Sequence, residues 1–220
     1  MTIQDTPKAD AIPQGGELAA YISAKLCHDF ISPSGAIMSG LDLLDDPSAQ
    51  DMRDDALGLI RQSARKMVSL VHYARVAFGA ATTSESFTGV EVRDLVAGLA
   101  EGGRATLDWR IDEPVLTKPQ ARVLANLAYL TLGALPTGGV ATVSSRRDGD
   151  RLVLEGVAEG ARARLKAEAA TGLEGRRLTE GLPGQWIQPY WLWLAANEAG
   201  GSLVHTAEEG RVVLTASLPA

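Results

Sequence analysis

Two consecutive runs of apolar residues at helical spacing constrain the fold of this 220-residue chain more than any other feature. In the first run, apolar residues recur at steps of four and three, at Leu18, Ile22, Leu26, Pro33, Ile37, Leu41 and Leu44. The second run repeats the pattern between residues 51 and 78. Such a stripe is typical of an amphipathic α-helix. The turn signal Asp46-Pro47-Ser48 separates the runs, so residues 15–79 are predicted to form an antiparallel helical hairpin.

A hairpin of two amphipathic helices leaves part of each apolar stripe in contact with water. A second copy of the hairpin would cover it by forming a four-helix bundle around a two-fold axis. The alternative is that the hairpin packs on the C-terminal half of its own chain. We expect the homodimer.

The pattern changes after residue 79. Residues 80–88 are mostly small and polar and are predicted to be a linker. Helices are then predicted near residues 90–100, 119–135, 162–170 and 182–199, with strands near 105–111, 140–146, 151–157, 201–207 and 211–218. This order predicts that residues 89–220 form an α/β sandwich, one sheet with helices on one face. The predicted fold class is therefore α followed by α/β.

Composition excludes several classes of function. The net charge of −6, without a dense lysine and arginine stripe, argues against nucleic-acid binding. No run of 18 apolar residues predicts a membrane span. Residues 1–14 lack the apolar segment of a signal peptide and are predicted to be a disordered lead-in. The single cysteine, Cys27, rules out an internal disulfide framework, so we expect a cytoplasmic protein.

His28 is the histidine whose position is unusual. It lies about 180° from the apolar stripe of the first helix, so its imidazole is expected to face solvent. Mostly small residues surround it, namely Tyr21, Ala24, Ser32, Gly35 and Ser39. Another protein can approach such an imidazole closely. The alternative is a surface histidine without function, but the acidic neighbour and the proline five residues on favour a functional one.

These residues resemble a known site. The segment His28-Asp29-x-x-Ser32-Pro33 is similar to the phosphoacceptor box of bacterial histidine kinases, and residues 18–46 are more similar still to ChpT-type proteins, the dimeric histidine phosphotransferases of alphaproteobacterial phosphorelays. The resemblance implies that His28 takes a phosphoryl group from a phospho-aspartate on the receiver domain of a hybrid histidine kinase. It then passes the group to the receiver domains of response regulators, including a cell-cycle regulator. The receiver is expected to supply Mg²⁺.

The second half resembles the ATP-binding domain of histidine kinases without its nucleotide-binding residues. Asn126-Leu127 and Pro136-x-Gly138-Gly139 match the frame of the family's N-box, but Leu130 occupies the place of the asparagine that binds magnesium and phosphate. Ala158 stands where the family has its adenine-binding aspartate. Leu182-Pro183-Gly184-Gln185-Trp186-Ile187 replaces a glycine-rich phosphate loop. The resemblance therefore predicts a degenerate domain that binds no nucleotide or other cofactor.

The sequence assigns roles around the phosphoacceptor. An unperturbed imidazole is an adequate nucleophile near neutral pH, and Asp29 is expected to hydrogen-bond Nδ1 or to offset charge. Lys25 either stabilises phosphoryl oxygens or is a solvated surface lysine. Ser32 occupies the place where related kinases orient a water molecule. The candidates for receiver docking are Tyr21, Ala24, Ile31, Gly35, Met38 and Ser39. Ile31 and Met38 are equally candidates for the dimer core.

Other readings stay open. They are an ATP-dependent kinase, a non-catalytic dimeric adaptor that binds receiver domains, and a receiver phosphatase that coexists with the relay. His72 and His205 lack an acidic neighbour and a following proline, and are interpreted as structural or exposed. The aromatic cluster Trp186, Tyr190, Trp191 and Trp193 is predicted to be core rather than a ligand pocket.

Overall fold

The computed structural model describes residue 13, residues 15–79 and residues 86–220. The predicted lead-in over residues 1–14 and most of the predicted linker, residues 80–85, lie outside the described residues, apart from residue 13. Among the described residues, no helix has both the length and the apolar character needed to cross a membrane.

The first half is the predicted helical hairpin. Helix α1 spans Gly15–Asp45, a short 3₁₀ turn spans Gln50–Met52, and helix α2 spans Arg53–Ala77. The helices approach closely at Gly40, where an added Cβ would lie 2.6 Å from Ile60 Cγ1. α1 continues through the buried Pro33, which lacks the backbone N–H that a helix normally uses at this position.

The second half is the predicted sandwich. Its elements, in chain order, are β1 (Ser86–Phe87), α3 (Gly89–Ala100), β2 (Ala105–Arg110), β3 (Leu116–Thr117), α4 (Lys118–Gly133), β4 (Gly139–Asp148), β5 (Arg151–Glu159), α5 (Ala167–Leu173), α6 (Pro183–Glu198), β6 (Ser202–Glu208) and β7 (Arg211–Pro219). The main sheet has the order β2-β4-β5-β7-β6, in which β2 and β4 are parallel and the other pairs antiparallel. The fold class predicted from the sequence is confirmed.

The core lies between the main sheet and helix α4. Alternate residues of β4, β5 and β7 are buried on this side, and most of α4 is buried against them. Gly156 permits the contact, because a Cβ there would overlap the Thr131 side chain of α4. A capping box between Thr117 and Gln120 satisfies backbone groups at the start of α4 and fixes where the helix begins.

Two predicted boundaries are corrected by the structure. The sequence predicts that residues 86–88 belong to the linker, but Ser86–Phe87 pairs with β3, and Thr88 caps α3 through a capping box with Glu91. The helix expected near residues 162–170 begins only at Ala167. The preceding segment is held as a loop, because Ala163 N–H donates to the Gly160 carbonyl and Arg164 N–H to the Ala134 carbonyl.

The two halves pack against each other along α1 and α6. Trp186, Ile187 and Tyr190 of α6 form a buried cluster with Leu18, Tyr21 and Ile22 of α1. Arg177 forms an ion pair with Glu17 beside it. Part of the α1 stripe is therefore covered by the same chain, which is the alternative that the sequence left beside a homodimer. Within the predicted aromatic cluster, Trp186 and Tyr190 are core as predicted, whereas Trp191 and Trp193 are half-buried.

Candidate active site

His28 projects from the middle of α1 into solvent. Its side chain is 86% exposed, which confirms the orientation expected from the helical periodicity. Ala24 and Gly35, one and two turns away on the same face, are also exposed, and a Cβ added at Gly35 would meet no atom within 4 Å. A folded partner can therefore bring an atom to the imidazole without meeting a bulky neighbour.

Asp29 connects the imidazole to the interior. Its Oδ1 lies 3.4 Å from His28 Nδ1, and its Oδ2 pairs with the ammonium of Lys25 one turn earlier. The position of a ring proton follows from the partner of each nitrogen. A carboxylate beside Nδ1 favours the proton on that nitrogen, so the lone pair of Nε2 is left available toward solvent.

Lys25 is buried, unlike the solvated lysine that the sequence offered as one alternative. The residue is only 8% exposed, and Nζ lies 3.4 Å from the hydroxyl oxygen of Tyr129 and 5.4 Å from the centre of its ring. Burial alone would lower the pKa of Lys25, but the oxygens of Tyr129 and Asp29 outweigh it and raise the pKa above its ordinary value. Lys25 therefore carries a proton at neutral pH.

Tyr129 is held by a buried polar cluster that joins both halves of the chain. Its ring stacks on that of Tyr73 from α2, with centroids 5.2 Å apart. Gln188 of α6 donates to the Tyr73 hydroxyl at 2.6 Å and to Asn126 Oδ1 at 3.1 Å. Asn126 Nδ2 in turn donates to the carbonyl of Ala77 at 2.9 Å. Three helices thus fix the surroundings of Tyr129.

Two clefts flank His28, and Asp29 and Tyr129 line both. The α6 cleft, about 520 Å³, lies between α1, α4 and the start of α6, and its lining includes Arg164, Lys166, Gly133 and Gln185. The α3 cleft, about 540 Å³, lies between the hairpin and α3, and its lining includes Ser32, Arg65, Lys66 and Leu99. The imidazole therefore lies between two clefts, each of which is lined by basic side chains.

The chain as a whole is similar to known proteins. The protein phosphotransferase ChpT of Brucella abortus (strain 2308) is 30% identical over 200 residues, covering 88% of this chain and 92% of that protein. The family model described as the histidine phosphotransferase C-terminal domain matches residues 89–211.

This chain belongs to the ChpT family of histidine phosphotransferases.

Two solved structures align with this chain. One described as a bacterial phosphotransferase aligns with a TM-score of 0.82 and 26% identity, covering 95% of this chain and all of the other. A histidine kinase domain from Erythrobacter litoralis aligns with 11% identity, covering 85% of this chain and 94% of the other, at a TM-score of 0.48. Membership of the ChpT family assigns phosphotransfer within a phosphorelay to this chain.

In this ChpT-family protein, the predicted site residues divide into three groups. His28, Ser32, Ala24, Gly35 and Ser39 are exposed on one face of α1, within an arc of about 80°. Ile31 and Met38 are also exposed, at 70% and 58%, but lie to one side of that arc.

The third group faces the C-terminal half of the chain. Asp29 and Lys25 connect His28 to that half. Tyr21 is half-buried with its ring edge-on to Trp186, at a centroid distance of 5.5 Å, so it contributes to the interface between the halves.

The structure shows where the three residues lie that, by resemblance to histidine kinases, stand in the place of nucleotide-binding groups. Leu130 lines the α6 cleft. Ala158 is fully buried in β5. Trp186 is buried, and its indole N–H donates to the Arg176 carbonyl at 2.9 Å. Leu130 and Ala158 offer neither the amide nor the carboxylate that the resemblance to histidine kinases implies at their places, and Trp186 stands where the resemblance implies a glycine-rich loop.

Sequence reasoning missed Tyr129, Tyr73 and Gln188. For Asn126, the sequence indicates only a place in the N-box frame. A charged lysine on the side of α1 that faces the C-terminal half was the available signal, because a buried ammonium needs partners. Its partner lies 104 residues away along the chain, beyond the reach of local pattern.

Stability at alkaline pH provides a test of the buried cluster. Burial raises the pKa of Tyr73 well above 10.0, with Tyr129 and Asp29 acting in the same direction. The folded protein therefore keeps a proton that the unfolded chain releases above about pH 10, so this contribution is complete below that pH and is lost above it. We expect the free energy of unfolding to fall more steeply between about pH 9 and 11 in wild type than in Tyr73→Phe, measured by urea unfolding.

Lys25 and Lys66 titrate in the same pH range, but they contribute equally to wild type and Tyr73→Phe and so do not affect the difference between the two slopes. The pKa of Lys25 is raised and contributes in the same direction as Tyr73. The pKa of Lys66 is lowered, chiefly by burial, and contributes in the opposite direction. Both lysines are present in wild type and variant. Equal slopes for the two proteins would contradict a buried, protonated Tyr73.

Proposed function

We propose that this protein relays a phosphoryl group from a phospho-aspartate on one receiver domain, through His28, to an aspartate on another. The observation that carries the proposal is an imidazole 86% exposed on a face of small residues, with a carboxylate beside Nδ1. By resemblance, the donor is the receiver of a hybrid histidine kinase and the acceptors are response regulators.

The proposed transfer of the phosphoryl group to His28 needs no reactant other than the phospho-receiver. Nε2 of neutral His28 attacks the phosphorus of the aspartyl phosphate, the P–N bond forms, and the P–O bond to the aspartate breaks. The aspartate leaves as a carboxylate, while the proton stays on Nδ1 beside Asp29. The negative charge of Asp29 offsets the positive charge of the imidazolium ring. The second transfer reverses these steps on another receiver. Such a transfer depends on alignment and charge neutralisation rather than on further covalent help.

The receiver is proposed to dock on the arc formed by Ala24, His28, Ser32, Gly35 and Ser39. Basic side chains stand on both sides of it, Arg65 and Lys66 at the α3 cleft and Arg164 and Lys166 at the α6 cleft. The phosphoryl group on the receiver's aspartate is negatively charged, so these positive charges favour its approach. Mg²⁺ is expected to come with the receiver. The part of the chain that the structure describes contains no cluster of three acidic, histidine or cysteine side chains suited to a metal.

Direct phosphorylation by ATP is not part of the proposal. The support is the replacement of nucleotide-binding groups by Leu130, Ala158 and Trp186, the last of which fills the helix start with a buried indole. The cytoplasmic location expected from the sequence stays a prediction.

We propose a homodimer through the side of the hairpin that faces away from the C-terminal half. At about 100° per residue, the exposed apolar side chains of both helices fall on this side. They are Ile31, Met38 and Leu41 of α1 and Val68 and Val71 of α2. Exposed apolar side chains grouped on one side favour an interaction site, and a second copy would bury them by symmetry. This assigns Ile31 and Met38 to the dimer rather than to receiver docking.

A charge placed on this surface is expected to separate the subunits. Met38→Glu buries an unpaired carboxylate at the interface, so the mass by light scattering should fall from twice the chain mass of 23.2 kDa to the chain mass. Val140→Glu is the matched control, since Val140 is similarly exposed but lies on the main sheet. A wild-type protein already at the chain mass at micromolar concentration would contradict the dimer.

The proposed relay is tested by transfer of labelled phosphoryl groups. A receiver labelled on its aspartate is mixed with this protein, and a parallel reaction contains labelled Mg-ATP alone. Acid-labile label is expected on this protein only in the first reaction. Label from ATP alone would show a working kinase, and binding of the receiver without label in either reaction would favour the adaptor.

A further inference from the structure

Asp29 is oriented by contacts that originate in the C-terminal half of the chain. Its Oδ2 is occupied by Lys25, so Oδ1 is the oxygen that faces His28 Nδ1. Lys25 is only 8% exposed, and a lysine at that depth keeps its charge only with partners on more than one side. Asp29 is one partner, and Tyr129 is the other that the described residues provide.

Tyr129 offers the ammonium both a hydroxyl oxygen and the face of a ring. The hydroxyl contact, 3.4 Å, is long, and the ring centre lies 5.4 Å from Nζ, within the range of a cation–π interaction. The ring of Tyr73 stacks on that of Tyr129, and Gln188 Nε2 donates a hydrogen bond of 2.6 Å to the Tyr73 hydroxyl oxygen. Tyr129 has little freedom, and through Lys25 the same holds for the Asp29 carboxylate.

We propose that Tyr129 is a positioning residue that sets the tautomer of His28 through Lys25 and Asp29. A carboxylate held beside Nδ1 keeps the proton there and leaves Nε2 as the nucleophile. The C-terminal half, in which Leu130 replaces the nucleotide-binding asparagine, thus acts on the phosphoacceptor through the adjacent residue of α4. The effect on transfer rests on the proposed function, but the effect on the tautomer does not.

The tautomer is measured first, by ¹⁵N NMR of the His28 ring in the receiver-free protein at about pH 8.5, where an ordinary imidazole is neutral. Wild type is expected to carry the proton mainly on Nδ1. Tyr129→Leu, which removes the hydroxyl and the ring, should shift the population toward the Nε2–H form. If Tyr129→Leu does not fold, Tyr129→Phe is used and must shift it in the same direction, by less. An unchanged tautomer in a folded variant would overturn the proposal.

The rate of phosphoryl transfer provides the second readout. Tyr129→Leu should lower the rate at saturating phospho-receiver on the order of 10-fold, with the half-saturating receiver concentration unchanged. A variant that changes only the half-saturating concentration would place Tyr129 in docking and overturn the proposal. Should wild type accept no phosphoryl group, the proposed function fails while the tautomer measurement still decides this inference.

Two further variants separate this role from general effects of mutation. Tyr190→Phe removes the hydroxyl of another buried tyrosine, one that has no hydrogen-bond partner among the described residues, and should leave tautomer and rate unchanged. In a Lys25→Met background, Tyr129→Leu should cause no further loss of rate, because both residues act along one chain of contacts. Additive losses would show that Tyr129 acts by another route.

Discussion

His28→Ala is expected to reduce phosphoryl acceptance to background while the protein remains folded. The reaction needs a nucleophilic nitrogen, and alanine supplies none. The side chain is 86% exposed and makes no contact with the core, so the free energy of unfolding should change by less than about 0.5 kcal/mol. Label retained after transfer from a phospho-receiver, and the midpoint of urea unfolding, are the two measurements.

The matched control is His72→Ala. His72 is an exposed histidine on α2 of the same hairpin, without an acidic residue beside it. This variant should accept label at the wild-type rate. Label retained by His28→Ala would disprove the site, and loss of label in both variants would point to a shared effect on the hairpin.

Trp186→Ala is expected to cause the largest loss of stability, about 3–5 kcal/mol, because it leaves a cavity in place of a large side chain that is only 1% exposed. The indole stacks on Tyr190 at 4.7 Å, meets the edge of Tyr21, and donates to the Arg176 carbonyl. The change removes contacts within α6 and between the two halves. Urea unfolding followed by circular dichroism measures the loss.

Leu182→Ala serves as the control for this prediction. Leu182 is also a large apolar residue at the start of α6, but it is 59% exposed. Its replacement should change stability by less than about 0.5 kcal/mol. If both substitutions cost the same, burial of Trp186 would not be the source of the effect.

Periodicity predicted the hairpin and most of the sandwich because those elements are defined by local patterns. The stripe of α1 ends at a turn signal, and the predicted and observed helix ends agree within a residue or two. The helix expected near residues 162–170 was misplaced because Arg164 bonds to the distant Ala134 carbonyl, a contact that the local sequence does not encode.

The candidate site was predicted in part. The exposure of His28 follows from its position opposite the apolar stripe, so the periodicity of a single helix is enough to predict it. The burial of Lys25 depends on Tyr129, Tyr73 and Gln188, which belong to three different helices. The sequence leaves two alternatives for Lys25, and neither of them places it between the hairpin and the C-terminal half. The pairing of residues that are distant in the chain is decided only when the helices pack.

The division of α1 into three surfaces restricts how this protein can evolve. One side of the helix packs on the C-terminal half, another carries the exposed apolar residues Ile31, Met38 and Leu41, and the third carries His28. Substitutions on the first side affect the packing of the two halves, and substitutions on the second affect the proposed homodimer. If receivers dock as proposed, adaptation to a new partner is confined to a few exposed positions of the third side, such as Ala24, Gly35 and Ser39.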